Sequence, residues 1–386
     1  MYTLQLSFIF ALYMAKIIII GPAHPLRGGL ATFNHRLAKE FIAMGHDCTI
    51  YSFSLQYPSL LFPGKTQYSD EPAPEGIPIK TVINSINPLN WLKVGRQLQK
   101  ENADIIVVRY WLPFMGPALG TILRSAKKSG QAKIVCIADN IIPHEKRPGD
   151  TAFTKYFIKP VDGFITMSEK VMKDLRTFTT QAPAALVQHP LYDNFGAIIS
   201  KETARLHLNL PQEANIVLFF GFIRKYKGLD LLLNAIALLK NQIPNLKLLI
   251  AGEFYEDEKP YSDLIQELQI QDIVILKSNF IANSEVKYYL CAADVLVQPY
   301  KNATQSGVTP LAYFFQKPMV VTNVGGLPDL VPHEKCGLIV QPEPQSIAEG
   351  IRRFYELGEK HFIPHLQNEK QKYGWGNIAE AIISKV

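Results

Sequence analysis

Short apolar runs alternate along this chain with longer segments in which apolar residues recur every three or four positions. These are the patterns of strands and of amphipathic helices. Residues 16–21 hold four consecutive isoleucines, as a strand buried on both faces would. Residues 30–44 follow with Phe33, Leu37 and Phe41 on one helical face. Residues 48–53 repeat the strand pattern, and residues 56–76, rich in Pro, Gly, Ser and Tyr, read as a loop. Further strand-like runs at 104–109, 133–138 and 163–167 are interleaved with helix-like segments at 92–101, 117–129 and 169–177. Such alternation predicts a parallel sheet with helices on both faces. Around His189, Pro190 and Asp193 the pattern breaks, which marks a linker. It then restarts, with strand-like runs at 216–221, 246–252, 273–276, 294–298 and 319–322. The helix-like segments between them are 229–240, 261–268, 284–292 and 310–316, and residues 375–385 form a last helix. The chain therefore reads as two tandem α/β domains, 14–192 and 193–372, with a C-terminal helical segment at 373–386.

Composition agrees. A chain of 386 residues exceeds what one hydrophobic core usually holds. With 47% hydrophobic and 19% charged residues it builds packed cores and is not disordered. Cys48, Cys136, Cys291 and Cys336 are far apart and follow neither a disulfide framework nor a metal-ligand spacing, so reduced thiols in the cytoplasm are expected. The net charge of +6 is uneven. Residues 1–190 carry 21 Lys and Arg against 13 Asp and Glu, a balance of +8, and the remainder carries 19 against 21, a balance of −2. Ordinary scatter and attraction to an anionic surface or a phosphorylated acceptor both explain this. No RNA-recognition signature or basic helix is present, so no nucleic-acid partner is expected. Residues 1–13 are apolar and uncharged, too short to span a membrane and without the features of a signal peptide. Met14 reads as a natural start. Residues 1–13 are expected to be a disordered extension or a mis-assigned start, with a weak membrane anchor as the alternative.

The chemistry concentrates in two turns. Ala303-Thr304-Gln305-Ser306-Gly307-Val308-Thr309-Pro310-Leu311 joins a strand-like run to a helix-like one. Unpaired N–H groups at such a helix start suit a phosphate, and Pro310 fits the first helical turn. Gly221-Phe222-Ile223-Arg224-Lys225-Tyr226-Lys227-Gly228 follows an earlier strand-like run. Together the two suggest a diphosphate held between backbone N–H groups and an Arg/Lys pair. A third turn, Arg27-Gly28-Gly29, lets a backbone approach a ligand closely. It is no dinucleotide fingerprint, because the segment from Gly21 to Gly29 is too long and no acidic residue ends the second strand.

The Gly-x-x-Arg-x-x-Lys-Gly stretch, the following Leu-Asp-Leu-Leu-Leu-Asn-Ala, then Ala-Gly-Glu and the Ser-Gly-Val turn resemble the C-terminal domain of family four glycosyltransferases of the GT-B fold. The first strand and the Arg27-Gly28-Gly29 loop fit the same family's N-terminal domain. The resemblance implies two Rossmann-like domains facing across a cleft, with the C-terminal helix crossing back to the N-terminal domain. It implies that Arg224 and Lys227 contact the donor diphosphate. Ser306, Gly307 and Val308 would cradle its distal phosphate, Gly28 and Gly29 would face it, and Gly252 and Glu253 would lie near the nucleotide.

The chain departs from the family at several points. Where the family often has two glutamates separated by seven residues, this sequence places Thr304 or Gln305 and then Ala312, which removes both carboxylates. Gln305 or Thr304 is left to meet a sugar hydroxyl. Many relatives have His where Asp139 stands, and His144 and Glu145 follow shortly after. Asp139 as a base and His144 as a donor near the reacting sugar are both candidate catalytic roles, and a structural loop histidine is the plain alternative. On the acceptor side the candidates are Arg27, Tyr110 and Trp111, within an aromatic patch that ordinary packing also explains. Trp91, with Lys93 and Arg96, is a candidate membrane contact. Glu256-Asp257-Glu258 reads as a charged loop and not as a metal site.

The resemblance implies a nucleotide-diphosphate sugar as donor and a glycan or lipid-linked hydroxyl as acceptor, with retention of configuration and neither a metal nor another cofactor. The expected setting is cytoplasmic, with peripheral contact at the inner membrane face and a place in surface polysaccharide or glycolipid assembly. A sugar-nucleotide epimerase of the same fold and a catalytically silent nucleotide-sugar-binding subunit stay open as alternatives.

Overall fold

The computed structural model describes residues 14–385 apart from 59–61, 63–64, 130–131, 144–146 and 304–305. The expectations for residues 1–13, His144, Thr304 and Gln305 lie outside the described residues. The chain forms two sheets. The first contains β1 (Lys16–Ile20), β2 (Asp47–Leu55), β3 (Ile79–Asn84), β4 (Ile105–Tyr110), β5 (Lys133–Ala138), β6 (Gly163–Thr166) and β7 (Ala184–Leu186), in the order β3-β2-β1-β4-β5-β6-β7. The second contains β8 (Asn215–Phe220), β9 (Leu246–Ala251), β10 (Val274–Lys277), β11 (Val295–Gln298), β12 (Met319–Thr322) and β13 (Gly337–Val340), in the order β10-β9-β8-β11-β12-β13.

Every pairing in both sheets is parallel. All strands of a sheet therefore end on the same edge. Ile17 of β1 sits between Cys48 of β2 and Ile105 of β4, which explains why the run of isoleucines is buried throughout. Each sheet also has one place where the strand order reverses, between β1 and β4 and between β8 and β11. Helices leave on opposite faces at such a point and open a crevice beyond the strand ends, where α/β sheets bind their ligands.

The strongly apolar strands fall where their pattern puts them. Not anticipated from the sequence are β3, β7, β13 and the helices Asp150–Ile158, Lys201–His207, Leu327–Leu330, Pro344–Leu357 and Glu359–Glu369, although Pro344–Leu357 carries Ile347, Ile351 and Phe354 on one buried face. β3 and β7 are sheet edges with mixed burial, so neither carries the continuous apolar signal of a central strand. The helix expected at 92–101 begins earlier, at Pro88, because the Asn87 side chain accepts the N–H groups of Leu89 and Asn90. The helix expected to open at Pro310 opens at Val308.

The two halves are joined at both ends of the second. The helix Trp375–Glu380 packs on the helix Gly29–Ala43 of the first half. Trp375 Nε1 donates to the Leu191 carbonyl at 2.6 Å, and its ring meets Phe33 at 4.8 Å with Arg36 over it at 5.0 Å. Leu191 N in turn donates to the Tyr373 carbonyl. On the edge of the second sheet away from the strand ends, Lys201 and Arg205 pair with Asp294, and Lys201 and Lys317 pair with Glu359. The four cysteines are buried free thiols. No helix among the described residues is long and apolar enough to cross a membrane.

Candidate functional site

The candidate turns follow the strands at the two reversal points. Gly221 to Gly228 follows β8, and Ser306 to Val308 follows β11. Arg27, Gly28 and Gly29 follow β1, and Trp111 follows β4. The parallel topology brings together turns that lie far apart in the sequence.

After β8 the chain runs extended through Arg224, makes a turn at Lys225–Lys227 and stops in a left-handed glycine, Gly228, at φ 69°. A side chain there would lie 2.0 Å from the Pro299 carbonyl, so glycine lets the turns after β8 and β11 touch. Glu256 braces this turn by accepting the Lys225 N–H at 2.9 Å. Arg224 is exposed, with its guanidinium 5.0 Å from the Tyr255 ring. Lys227 is 9% exposed, with Nζ 5.6 Å from the Tyr300 ring. Burial, reinforced by Arg224, lowers its pKa to about 7. Among the described residues no carboxylate pairs with either cation.

After β11 the Ser306 hydroxyl is buried. It donates to Gln298 Oε1 at 2.5 Å and accepts the Val308 N–H at 3.2 Å. This corrects the picture of a turn open through backbone alone: the Val308 N–H is already engaged, and the Ser306 side chain shapes the turn. Gly307 is right-handed at φ −68°, and a side chain there would meet only Tyr192 at an ordinary 3.6 Å. Ala312 is fully buried and brings no polar group to the site.

Gly28 has φ 103°, a conformation that suits glycine, and opens the helix Gly29–Ala43. Arg27 reaches across the cleft. Its Nη2 lies 2.5 Å from Glu253 Oε2, Nε donates to the Thr66 carbonyl, and the guanidinium lies 4.0 Å over Phe280. The second oxygen of Glu253 accepts the Lys65 N–H at 2.7 Å. Glu253, expected near the nucleotide, and Arg27, expected on the acceptor side, are thus partners in a buried contact between the halves. Gly252 also has a packing reason, since a side chain there would lie 2.1 Å from the Gly221 carbonyl.

Two further expectations change. Asp139 does not stand free as a base: both its oxygens bind Arg109, at 2.6 Å each, because neighbouring β4 and β5 end side by side. Tyr110 does not face an acceptor. It is fully buried, stacks on Phe157 at 4.1 Å and shares a hydrogen bond with Thr154, because side chains alternate along a strand and Tyr110 points away from Arg109. Trp111 is partly buried and donates to the Tyr57 hydroxyl at 2.6 Å. Tyr57 stacks with Phe62 and Phe114, and Phe62 meets Tyr255 of the second half, so an aromatic wall closes one side of the cleft. Arg109 was the missed partner, and its lone charge in an apolar strand was the available signal.

Beside Arg27 lies a cavity of about 200 Å³ lined by His24, Thr32, His35, Glu71 and Asn283. The Glu71 carboxylate accepts the backbone N–H groups of Asn283 and Ser284 from the second half. His35 Nε2 accepts the His24 N–H at 2.9 Å, and burial, with His24 and Lys39 adding, lowers its pKa to about 4.

Two parallel Rossmann-like domains that meet across such a cleft define the GT-B class. Comparison with known proteins agrees. Residues 27–190 match the family model described as Glycosyltransferase Family 4, and residues 200–367 match that of Glycosyl transferases group 1. The chain belongs to the family four glycosyltransferases of the GT-B fold. It is 30% identical over 187 residues to an uncharacterized glycosyltransferase of Methanocaldococcus jannaschii, covering 47% of this chain and 46% of that one. It is 30% identical over 198 residues to the D-inositol 3-phosphate glycosyltransferase of Streptomyces avermitilis, covering 48% and 42%. The chain thus spans just under half the length of these two relatives. Among solved structures it resembles a sucrose-phosphate synthase of Thermosynechococcus elongatus, with TM-score 0.73, 19% identity and coverage of 94% and 96%. It also resembles the Anabaena protein HepE in complex with UDP-glucose, with TM-score 0.70, 17% identity and coverage of 95% and 98%.

The buried Lys227 sets a pH dependence. Its folded pKa of about 7 lies below the unfolded value of about 10.4. Burying the charged group costs stability in full below pH 7, and the cost fades as pH rises toward 10. Lys227→Met is therefore expected to unfold at a temperature several degrees above wild type at pH 6, with the gap narrowing steadily toward pH 10. Parallel melting curves across that range check it, and a gap that is constant or widens with pH would contradict it.

Proposed function

We propose that this protein moves a sugar from a nucleotide-diphosphate donor to an acceptor hydroxyl with retention of configuration. The observation that carries the reading is the pair Arg224 and Lys227, cations with no carboxylate partner among the described residues, at the reversal point of the second sheet across from the Gly28-Gly29 turn. Transfer breaks the bond between the anomeric carbon and the diphosphate, and the electron pair leaves with the phosphate oxygen. Fixed cations in a partly dry cleft stabilise that growing charge. In this reading Arg224 supplies a planar donor array and Lys227 a point charge, the work a metal does elsewhere. Solved structures of HepE with UDP and with UDP-glucose support a nucleotide-sugar donor here.

The acceptor in this reading is a glycan or lipid-linked hydroxyl of a surface polysaccharide or glycolipid, met in the cytoplasm at the inner membrane face. Support for the membrane contact comes from the start of the helix Pro88–Glu101. Leu89 is 78% exposed and Leu92 41%, with Ile86 just before them and Lys93 and Arg96 alongside. An apolar tip among cations suits anionic lipid.

Arg224→Ala and Lys227→Ala are each expected to lower sugar transfer on the order of 10²–10³-fold, with the circular dichroism of the folded protein unchanged. The substrate panel pairs UDP-, GDP-, ADP- and dTDP-sugars with lipid-linked acceptors. Near-normal rates in both variants would remove the diphosphate assignment. Release of an epimerised sugar nucleotide without acceptor would favour an epimerase, and binding without any turnover a silent subunit. In the same preparations, Leu89→Glu with Leu92→Glu is expected to abolish sedimentation with anionic vesicles while sparing transfer to a soluble acceptor. Unchanged sedimentation would remove the membrane contact.

A further inference from the structure

Tyr192 lies in the connection between the two sheets and is 6% exposed. Its ring is fixed edge-on against Phe195 at 5.6 Å and tilted against His189 at 5.1 Å. The hydroxyl lies 3.6 Å from where a side chain on Gly29 would begin, and 3.6 Å from where one on Gly307 would begin. Gly29 belongs to the turn after β1 and Gly307 to the turn after β11. One hydroxyl therefore touches both of the glycine turns that face each other across the cleft.

That hydroxyl is poorly served. It makes a stretched hydrogen bond of 3.5 Å to the Gly29 carbonyl, whereas O–H donors usually approach an acceptor to about 2.7–2.8 Å. A buried hydroxyl with so weak a partner has donor capacity to spare. Burial raises its pKa, with Arg109 opposing and Asp139 adding to the rise, so it keeps its proton at working pH and donates without bringing charge. The glycines beside it have no side chains to stand between it and a ligand.

We propose that Tyr192 contacts the donor directly, donating a hydrogen bond from its hydroxyl to the phosphate portion of a nucleoside diphosphate lodged between the Gly28-Gly29 and Ser306-Gly307 turns. The proposal rests on the reading that this cleft takes a nucleotide-diphosphate. Tyr192 then links the two halves through the ligand, since it lies on the connection between them and meets a turn from each. It also adds a side-chain donor next to the turn where the first of the family's two glutamates is replaced.

The test uses the full chain as wild type, Tyr192→Phe and Arg224→Ala, titrated calorimetrically with UDP, GDP, ADP and dTDP. Each diphosphate that binds is repeated as its nucleoside, and melting temperature serves as the folding control. Loss of one hydrogen bond to a charged phosphate is expected to weaken diphosphate binding of Tyr192→Phe about tenfold or more. Nucleoside binding and melting temperature should stay unchanged. Diphosphate affinity within about twofold of wild type would overturn the proposal. So would an equal loss for diphosphate and nucleoside, which would make Tyr192 a shaper of the cleft and not a phosphate contact. If Arg224→Ala loses the diphosphate while Tyr192→Phe keeps it, the reading of the cleft stands and this assignment falls. If wild type binds none of the four, both fall together.

Discussion

An ammonium group buried beside a guanidinium, with no carboxylate paired to it among the described residues, is the constraint from which the rest of the structure takes its meaning. Burial opposes charge on Lys227, and Arg224 adds to the opposition. Folding places the group there regardless, through the αL stop at Gly228 and the brace from Glu256. A site that holds cations against their own solvation suits an anion, and in the proposed function the donor diphosphate would supply the missing partner and restore the lysine's proton. Local departures from the most stable arrangement concentrate at functional sites.

The contacts between the halves explain how such a site is held in register. Arg27 with Glu253, Glu71 with the N–H groups of Asn283 and Ser284, and the aromatic wall of Tyr57, Phe62 and Tyr255 all join loops at the strand-end edges of both sheets. Trp375 and Leu191 join the halves near the linker. Arg27 and Glu253, both expected at the ligand site, therefore also join the two halves across the cleft. An ion pair such as Arg27 with Glu253 adds little net stability once desolvation is counted, but it fixes which loop meets which.

Much of the fold was legible because central parallel strands are buried on both faces and declare themselves as unbroken apolar runs. β1 and β8 are of this kind. The edge strands β3 and β7 do not declare themselves, since half their side chains answer to solvent. In the candidate site, Arg224 and Lys227 stood out because a basic pair between a strand and a glycine has few structural excuses. The partners of Asp139, Glu253 and Tyr110 escaped notice for a common reason: each is distant in sequence. Arg109 lies in the adjacent strand, Arg27 in the other half, and Thr154 in a helix without a clear pattern of its own. Tyr192 escaped notice because a linker residue acquires significance only when both turns are brought to it.

The central claim is that the diphosphate of a nucleotide sugar lies against Arg224 and Lys227, at the reversal point of the second sheet. A crystal structure of the protein with a bound nucleoside diphosphate tests it most directly. The account predicts phosphate oxygens within about 3 Å of both the Arg224 guanidinium and Lys227 Nζ, with the Gly28-Gly29 turn facing them. Nucleotide bound elsewhere would contradict it, for instance in the cavity beside Asn241, Pro244 and Asp272, with both cations left untouched.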